Sequence, residues 1–197
     1  MKKLLALIVT AGMVLALRAD EAAVRKVFAE MNRLGTEWKL QEALKYYTPD
    51  FEETSADGKK VNMDLARRAA RMLEVMNRSD LSLTEMLVAA KNAAGQPVSE
   101  EDIRMYRDLE KTEQGAKTAK LIRDTWAAQK ATMQRAMQEQ VDSFVITDVK
   151  VDGDRAEAVF RQKNIENGKM EEHRCELVKK DGNWLIRRDT GKYVEVK

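Results

Sequence analysis

The chain holds one histidine and one cysteine, and they stand two residues apart, at His173 and Cys175. Where apolar and polar residues alternate, positions i and i+2 share a face, so imidazole and thiol would point the same way. Such a pair is the minimum needed for a thiolate nucleophile with its own base. A plainer alternative is an inert buried thiol beside an ordinary strand histidine. The inventory excludes more than it admits. One cysteine allows neither an internal disulfide nor a cysteine-rich zinc site, and one histidine removes most histidine-based metal sites and triads. No glycine-rich phosphate loop, nucleophile elbow or paired metal-ligand motif occurs. No metal and no cofactor is therefore expected. Asn77-Arg78-Ser79 fits a glycosylation acceptor, a short pattern that often arises by chance.

Composition narrows the class. The chain has 197 residues, 44% hydrophobic and 35% charged, which suits one packed domain with or without an appendage. A formal charge of +2 is too balanced for a dedicated nucleic-acid binder. Met1-Lys2-Lys3 followed by an apolar run to Leu17 is too short to span a bilayer comfortably, which takes about 20 residues. It fits a secretory signal, 1–19, with Ala19 as the small residue before the cut and Arg18 an unusual neighbour. The expected address is secreted or periplasmic, with no stable membrane anchor once the signal is removed. That removal takes Lys2, Lys3 and Arg18 and no acid, leaving 32 basic against 33 acidic residues.

The elements that would position His173 follow from periodicity. Asp20 is placed to cap a helix whose stripe is Val24, Val27, Phe28, Met31 and Leu34, ended by Gly35. A second helix shows Leu40, Ala43, Leu44 and Tyr47 on one face and stops at Pro49. Within 51–61, Asp57-Gly58 turns two short extended pieces. Asn62 then caps a third helix, with Leu65, Ala69, Met72, Leu73 and Met76 on its buried side. Ser82-Leu83-Thr84-Glu85 is a capping box for a helix ending at Gly95, and Ser99 opens a helical segment reaching about Gln140, with Gly115 as its breaking point. Beyond Gln140 the period falls to two. Strands are expected over 141–151, 155–165, 169–180 and 184–188, joined at Asp152-Gly153, Asn167-Gly168 and Asp181-Gly182. Helices first and strands afterwards give an α+β protein. Segments 20–76 and 141–197 form the core of one domain, 20–197, in which 77–140 is a helical insertion.

This order of elements resembles the nuclear transport factor 2-like (SnoaL-like, cystatin-like) superfamily. The residues that carry the likeness are Val24-Arg25-Lys26-Val27-Phe28, Ala43-Leu44-Lys45-Tyr46-Tyr47-Thr48-Pro49-Asp50-Phe51 and Asp57-Gly58. In the strand region they are Val149-Lys150-Val151-Asp152-Gly153-Asp154-Arg155-Ala156, Phe160-Arg161-Gln162 and Asp181-Gly182-Asn183-Trp184-Leu185-Ile186. The resemblance leaves 77–140 unmatched. It implies a cone, in which N-terminal helices pack on a curved antiparallel sheet. The superfamily includes isomerase- and dehydratase-like enzymes and many non-catalytic binding domains, so the site has to decide between them.

Within such a cone an isomerase or dehydratase needs an acid–base group and polar groups for a developing oxyanion. His173 is one candidate. Tyr46, Tyr47 and Asp50 fall where the resemblance places the cone mouth, although Tyr47 is also in phase with Leu40 and Leu44, and Asp50 suits a turn. Trp38 and Trp184 fit a pocket wall or an ordinary core. Arg161, out of phase with Phe160, fits an interface. The chain thus reads as an exported, non-catalytic domain that binds a small apolar ligand or a protein partner and can dimerise through its sheet. No residue is assigned as catalytic, and Trp38, Tyr47, His173 and Trp184 are expected to line the ligand site. One alternative is an isomerase- or dehydratase-type enzyme using His173 with Tyr47 or Asp50. Another makes 77–140 an interaction arm on a passive domain.

Overall fold

The structure, a computed structural model, describes residues 2–195, with side chains from Arg18 to Glu195. The expected signal segment therefore lies almost wholly outside the described side chains. The elements run α1 (Lys2–Thr36), α2 (Leu40–Ala43), a single 3₁₀ turn (Leu44–Tyr46), β1 (Tyr47–Thr54), β2 (Lys60–Asn62), α3 (Met63–Met76), α4 (Leu83–Ala93), α5 (Glu100–Glu110), α6 (Glu113–Ser143), β3 (Val145–Asp152), β4 (Arg155–Lys163), β5 (Met170–Lys180) and β6 (Asn183–Tyr193). The six strands form one curved sheet in the order β2-β1-β6-β5-β4-β3. Its pairings are antiparallel except that of β1 with β6, which is parallel. The α+β class and the packing of helices on a curved sheet are as expected from the sequence.

The stripe of α1 is buried as its spacing requires: Val24, Val27 and Phe28 pack against Ala156, Ala158, Phe160, Cys175, Leu177 and Ile186. Each such side chain contributes roughly 1.5–3 kcal/mol of transfer free energy. The start of the helix differs from the expectation. Asp20 does not cap it, because α1 continues through that residue, and its carboxylate instead accepts from Lys179 of β5 at 2.6 Å. At the other end Gly35 keeps a helical conformation, and Trp38 takes the left-handed one, with φ of 61°. A Cβ on Gly35 would meet Met137 of α6 at 3.5 Å, so the glycine marks where the two helices approach closely.

The second helix is shorter than its apolar face suggests. Tyr47 and Pro49 stand inside β1, not at a helix end. Proline is tolerated there because the β1·β6 ladder is irregular between Tyr47 and Glu52. Asn62 caps α3 as expected, accepting from the Leu65 amide at 3.0 Å, but the buried residues are Met63 and Ala70, whereas Leu65 and Ala69 face solvent. The capping boxes at Ser82 and Ser99 both form. Helix α6 runs to Ser143, so β3 begins four residues later than expected, and β6 continues five residues past 188. On the solvent face of the sheet, Arg161 pairs with Glu172 at 2.8 Å and Arg174 with Glu157 at 3.1 Å.

Segment 77–140 carries a small core of its own. Leu81, Leu83, Met86 and Ala119 are buried together, with Val75, Leu109 and Trp126 packed around them. The break between α5 and α6 lies at Lys111 and Thr112, and Thr112 caps α6 by accepting from the Gly115 amide at 2.9 Å. Gly115 is thus inside α6, not the breaking point. A Cβ there would lie 2.0 Å from the Leu109 carbonyl oxygen, a backbone atom that cannot turn aside. Gly115→Ala is expected to destabilise this helical core by about 2 kcal/mol or more, read as a lower urea midpoint when the fluorescence of Trp126 is followed.

Candidate functional site

His173 sits on β5 with Glu171, Cys175 and Leu177 on the same face, and all four side chains are buried. The adjacent strand supplies the partner. Between Glu176 and Leu177 the β5·β6 register shifts, Ile186 facing Leu177 and Arg188 facing Glu176, so Arg187 is an extra residue. A bulge reverses which positions of a strand point inward. Trp184 and Ile186 point into the core before it, and Asp189 and Gly191 stand opposite Cys175 and His173 after it.

The imidazole is held on every side. Nδ1 lies 3.0 and 3.1 Å from the two carboxylate oxygens of Asp189, and Nε2 lies 3.2 Å from Glu171 Oε2. Asn164 Nδ2 donates to the other Glu171 oxygen at 2.9 Å. The ring stacks on Phe160, with centroids 4.9 Å apart and planes 2° from parallel. A Cβ on Gly191 would lie 3.1 Å from the ring and 3.2 Å from the Ala56 amide nitrogen, a tight approach that glycine relieves. Two carboxylates facing two ring nitrogens require both nitrogens to donate, which is the imidazolium form. Burial opposes that charge, but the hydrogen bonds and charges of Asp189 and Glu171 outweigh it and hold the imidazolium to about pH 9. His173 is therefore a buried cation and not a free base at neutral pH. Its two nitrogens are both engaged, so the thiol–imidazole pair with Cys175 does not form; burial pushes the thiol well up and keeps it protonated.

The ring borders a cavity of about 260 Å³ between α1, α6 and the sheet. Phe28, Met31, Phe144 and Phe160 give it apolar walls, and Tyr47, His173, Asp189 and Glu53 line it too. Glu53 is the residue that sequence reasoning missed and that matters most. It stands on β1 opposite Asp189 in the parallel ladder. Burial raises its carboxyl to about 7, and the charge on Asp189 adds to this. It thus changes protonation state near neutrality while bordering an apolar space. Burial likewise pushes the Tyr47 hydroxyl far up, so it remains a neutral donor.

Of the expected site residues, the structure brings Tyr47 and His173 to this cavity. Asp50 is not there: it is exposed and accepts from Arg187 at 3.1 Å, so the expected pairing of His173 with Asp50 is not assembled. Trp38 is buried elsewhere, with Lys130 Nζ 5.8 Å from its ring centre. Trp184 borders a separate recess with Val27 and Tyr46, so neither tryptophan lines the cavity of His173. A further recess of about 340 Å³ lies between α3 and α4, away from these titratable groups. Among the described residues, no group of three or more histidines, cysteines, aspartates or glutamates is arranged to hold a metal ion.

Among solved structures, the chain is similar to a nuclear transport factor 2-like protein with a cystatin-like fold from Novosphingobium aromaticivorans, 13% identical, covering 95% of this chain and 90% of its own, with a TM-score of 0.46. Another nuclear transport factor 2-like protein, from Silicibacter pomeroyi, is 12% identical over 88% of this chain and 94% of its own, at a TM-score of 0.44. A ketosteroid isomerase-like protein from Erwinia carotovora atroseptica is 8% identical over 90% of this chain and 98% of its own, at 0.40. Two of these neighbours are described as nuclear transport factor 2-like proteins and the third as ketosteroid isomerase-like. The first two bear the family name that the sequence resemblance gave, and at such values the likeness says nothing about activity. No protein-family model and no curated protein matches the chain.

The cluster makes stability depend on pH in a definite sense. His173 has a folded value raised from 6.5 to about 9, so its contribution is complete below about 6.5 and is lost as pH rises to about 9. Glu53 is raised from 4.5 to about 7, so the fold favours its neutral form and loses stability as pH climbs through that window. Both groups act in the same direction. The urea midpoint is expected to fall steadily between about pH 5 and about pH 9. His173→Ala should cost about 3–5 kcal/mol at neutral pH, because it leaves Asp189 and Glu171 without their buried counter-charge, and the upper part of the pH slope should disappear.

Proposed function

We propose that the chain is an exported binding protein whose cavity between α1, α6 and the sheet takes a small, mostly apolar molecule. The supporting observation is a space of about 260 Å³ against the main core, walled by aromatic side chains and bordered by polar groups. Packed interiors hold few voids larger than a water molecule, and a concave apolar space with convergent polar groups is what ligand sites have in common. The reading is of a binder because His173, the acid–base candidate of the alternative enzymatic reading, has both ring nitrogens held by carboxylates.

A neutral aromatic probe, 2-phenylethanol, tests this directly. Titration into isotope-labelled protein is expected to shift the amide signals around Phe28, Phe144 and Phe160 in a saturable way, while those of α4 and α5 stay in place. Saturation confined to the recess of Trp184, or no saturation at all, would overturn the reading.

Export is proposed on the basic start, short apolar run and Ala19 of segment 1–19. Among the described residues no helix is long and apolar enough to cross a membrane. Expressed with its own N-terminus in a bacterial host, the chain should appear outside the cytoplasm with Asp20 as its first residue. Recovery from the cytoplasm with Met1 retained would refute the export reading.

A further inference from the structure

The ionisable cluster beside the cavity, of which Glu53, His173 and Asp189 line it and Glu171 stands behind, is uneven in charge. His173 is one cation, and Asp189 and Glu171 are its two anions. Glu53 adds a third carboxyl beside Asp189. The other groups have partners: Glu171 is met by His173 and Asn164, and Asp189 by His173. Among the described residues, no lysine or arginine lines the cavity. The helices bring only neutral polar groups to it, Asn32 from α1 and Gln140 from α6. Glu53 is part-buried, and the one cation that faces it, His173, is already held by Asp189 and Glu171, so three carboxyls share a single imidazolium.

Building on the binding reading above, we infer that the occupant is a monocation: an amine with a compact apolar body. Its ammonium sits against Glu53 and Asp189, and its body lies among Phe28, Phe144 and Phe160. The ligand thereby supplies the further positive charge that three carboxyls around one imidazolium lack. A carboxylate ligand of the same shape meets repulsion, and an alcohol meets only part of the need.

The charge also links binding to pH. The groups that face Glu53 are Asp189 on β6, His173, Glu171 and Cys175 on β5, and Tyr47 on its own strand. His173 keeps its proton to about 9, and burial keeps the hydroxyl and the thiol neutral. Glu53, held up to about 7, has to release its proton before it can meet an ammonium as a carboxylate. Amine affinity therefore rises with pH through that region.

Three probes of one shape decide the matter: 2-phenylethylamine, 2-phenylethanol and phenylacetate, titrated calorimetrically into the full chain from about pH 5.5 to about pH 8. At the upper pH the amine is expected to bind about tenfold or more tighter than the alcohol, with phenylacetate weakest. The advantage should shrink toward the lower pH, and Glu53→Gln should remove it. If the alcohol binds but the amine binds no tighter, or keeps its advantage in the folded Glu53→Gln variant, this inference falls and the binding reading stands. If no probe binds, both fall. Should the variant not fold, the pH series on the unmodified chain decides, and an amine-to-alcohol ratio that does not change with pH overturns the inference.

Discussion

A charged imidazole removed from water constrains everything around it. Placing an ion of this size in a low-dielectric interior costs several kcal/mol unless partners compensate it. Here each ring nitrogen faces a carboxylate, Asp189 at 3.0 Å and Glu171 at 3.2 Å. That solution fixes the architecture at several removes. Glu171 has to sit two residues before His173 on the same face of β5, and Asn164 has to reach its second oxygen. Phe160 has to lie flat on one side of the ring and Gly191 has to leave room at its edge. Asp189 has to point inward, which the parity of β6 forbids unless the strand carries an extra residue at Arg187.

The compensation is lopsided, and the proposed function grows from that. Two carboxylates suffice for one imidazolium, and a third, Glu53, stands beside them on the parallel neighbour β1. The surrounding cavity is apolar, so the unmet carboxyl is raised to about 7 instead of being hydrated in bulk water. His173 itself has both nitrogens engaged by carboxylates, which leaves Glu53, among the described residues, as the cavity's unpaired titratable group near neutrality. Helix α6 completes the enclosure. It is one helix from Glu113 to Ser143, anchored at its start in the small core of the insertion and laid at its far end over α1 and β4. Ser143 ties that end down by accepting from the Lys163 amide at 2.8 Å. The segment left unmatched by the family resemblance thus supplies a wall of the cavity through Met137 and Gln140.

What could be read in the sequence was local. The Ser82 and Ser99 capping boxes, the Asn62 cap and the glycine turns at Gly58, Gly153, Gly168 and Gly182 are set by a few neighbouring residues. So is the inward face of β5, which already placed His173 with Cys175 and would also have shown Glu171. Short helices misled, because Leu40, Ala43, Leu44 and Tyr47 satisfy a helical stripe and an apolar strand start equally well. The sheet claimed Tyr47 through its pairing with Ile186, a contact between distant parts of the chain. The same competition displaced Asp20 from a cap to an ion pair with Lys179.

The sequence by itself determined the α+β class, the order of the elements, the turns and the candidacy of His173, since these rest on periodicity and on residues within one turn of each other. Only the tertiary structure decided that His173 is a cation and not a base, that Asp50, Trp38 and Trp184 lie away from it, and that Glu53 and Asp189 complete its surroundings. The physical reason is register. One extra residue in β6 turns Asp189 inward, and the parallel pairing of β1 with β6 sets Glu53 beside it, and neither event leaves a mark in the local pattern of either strand.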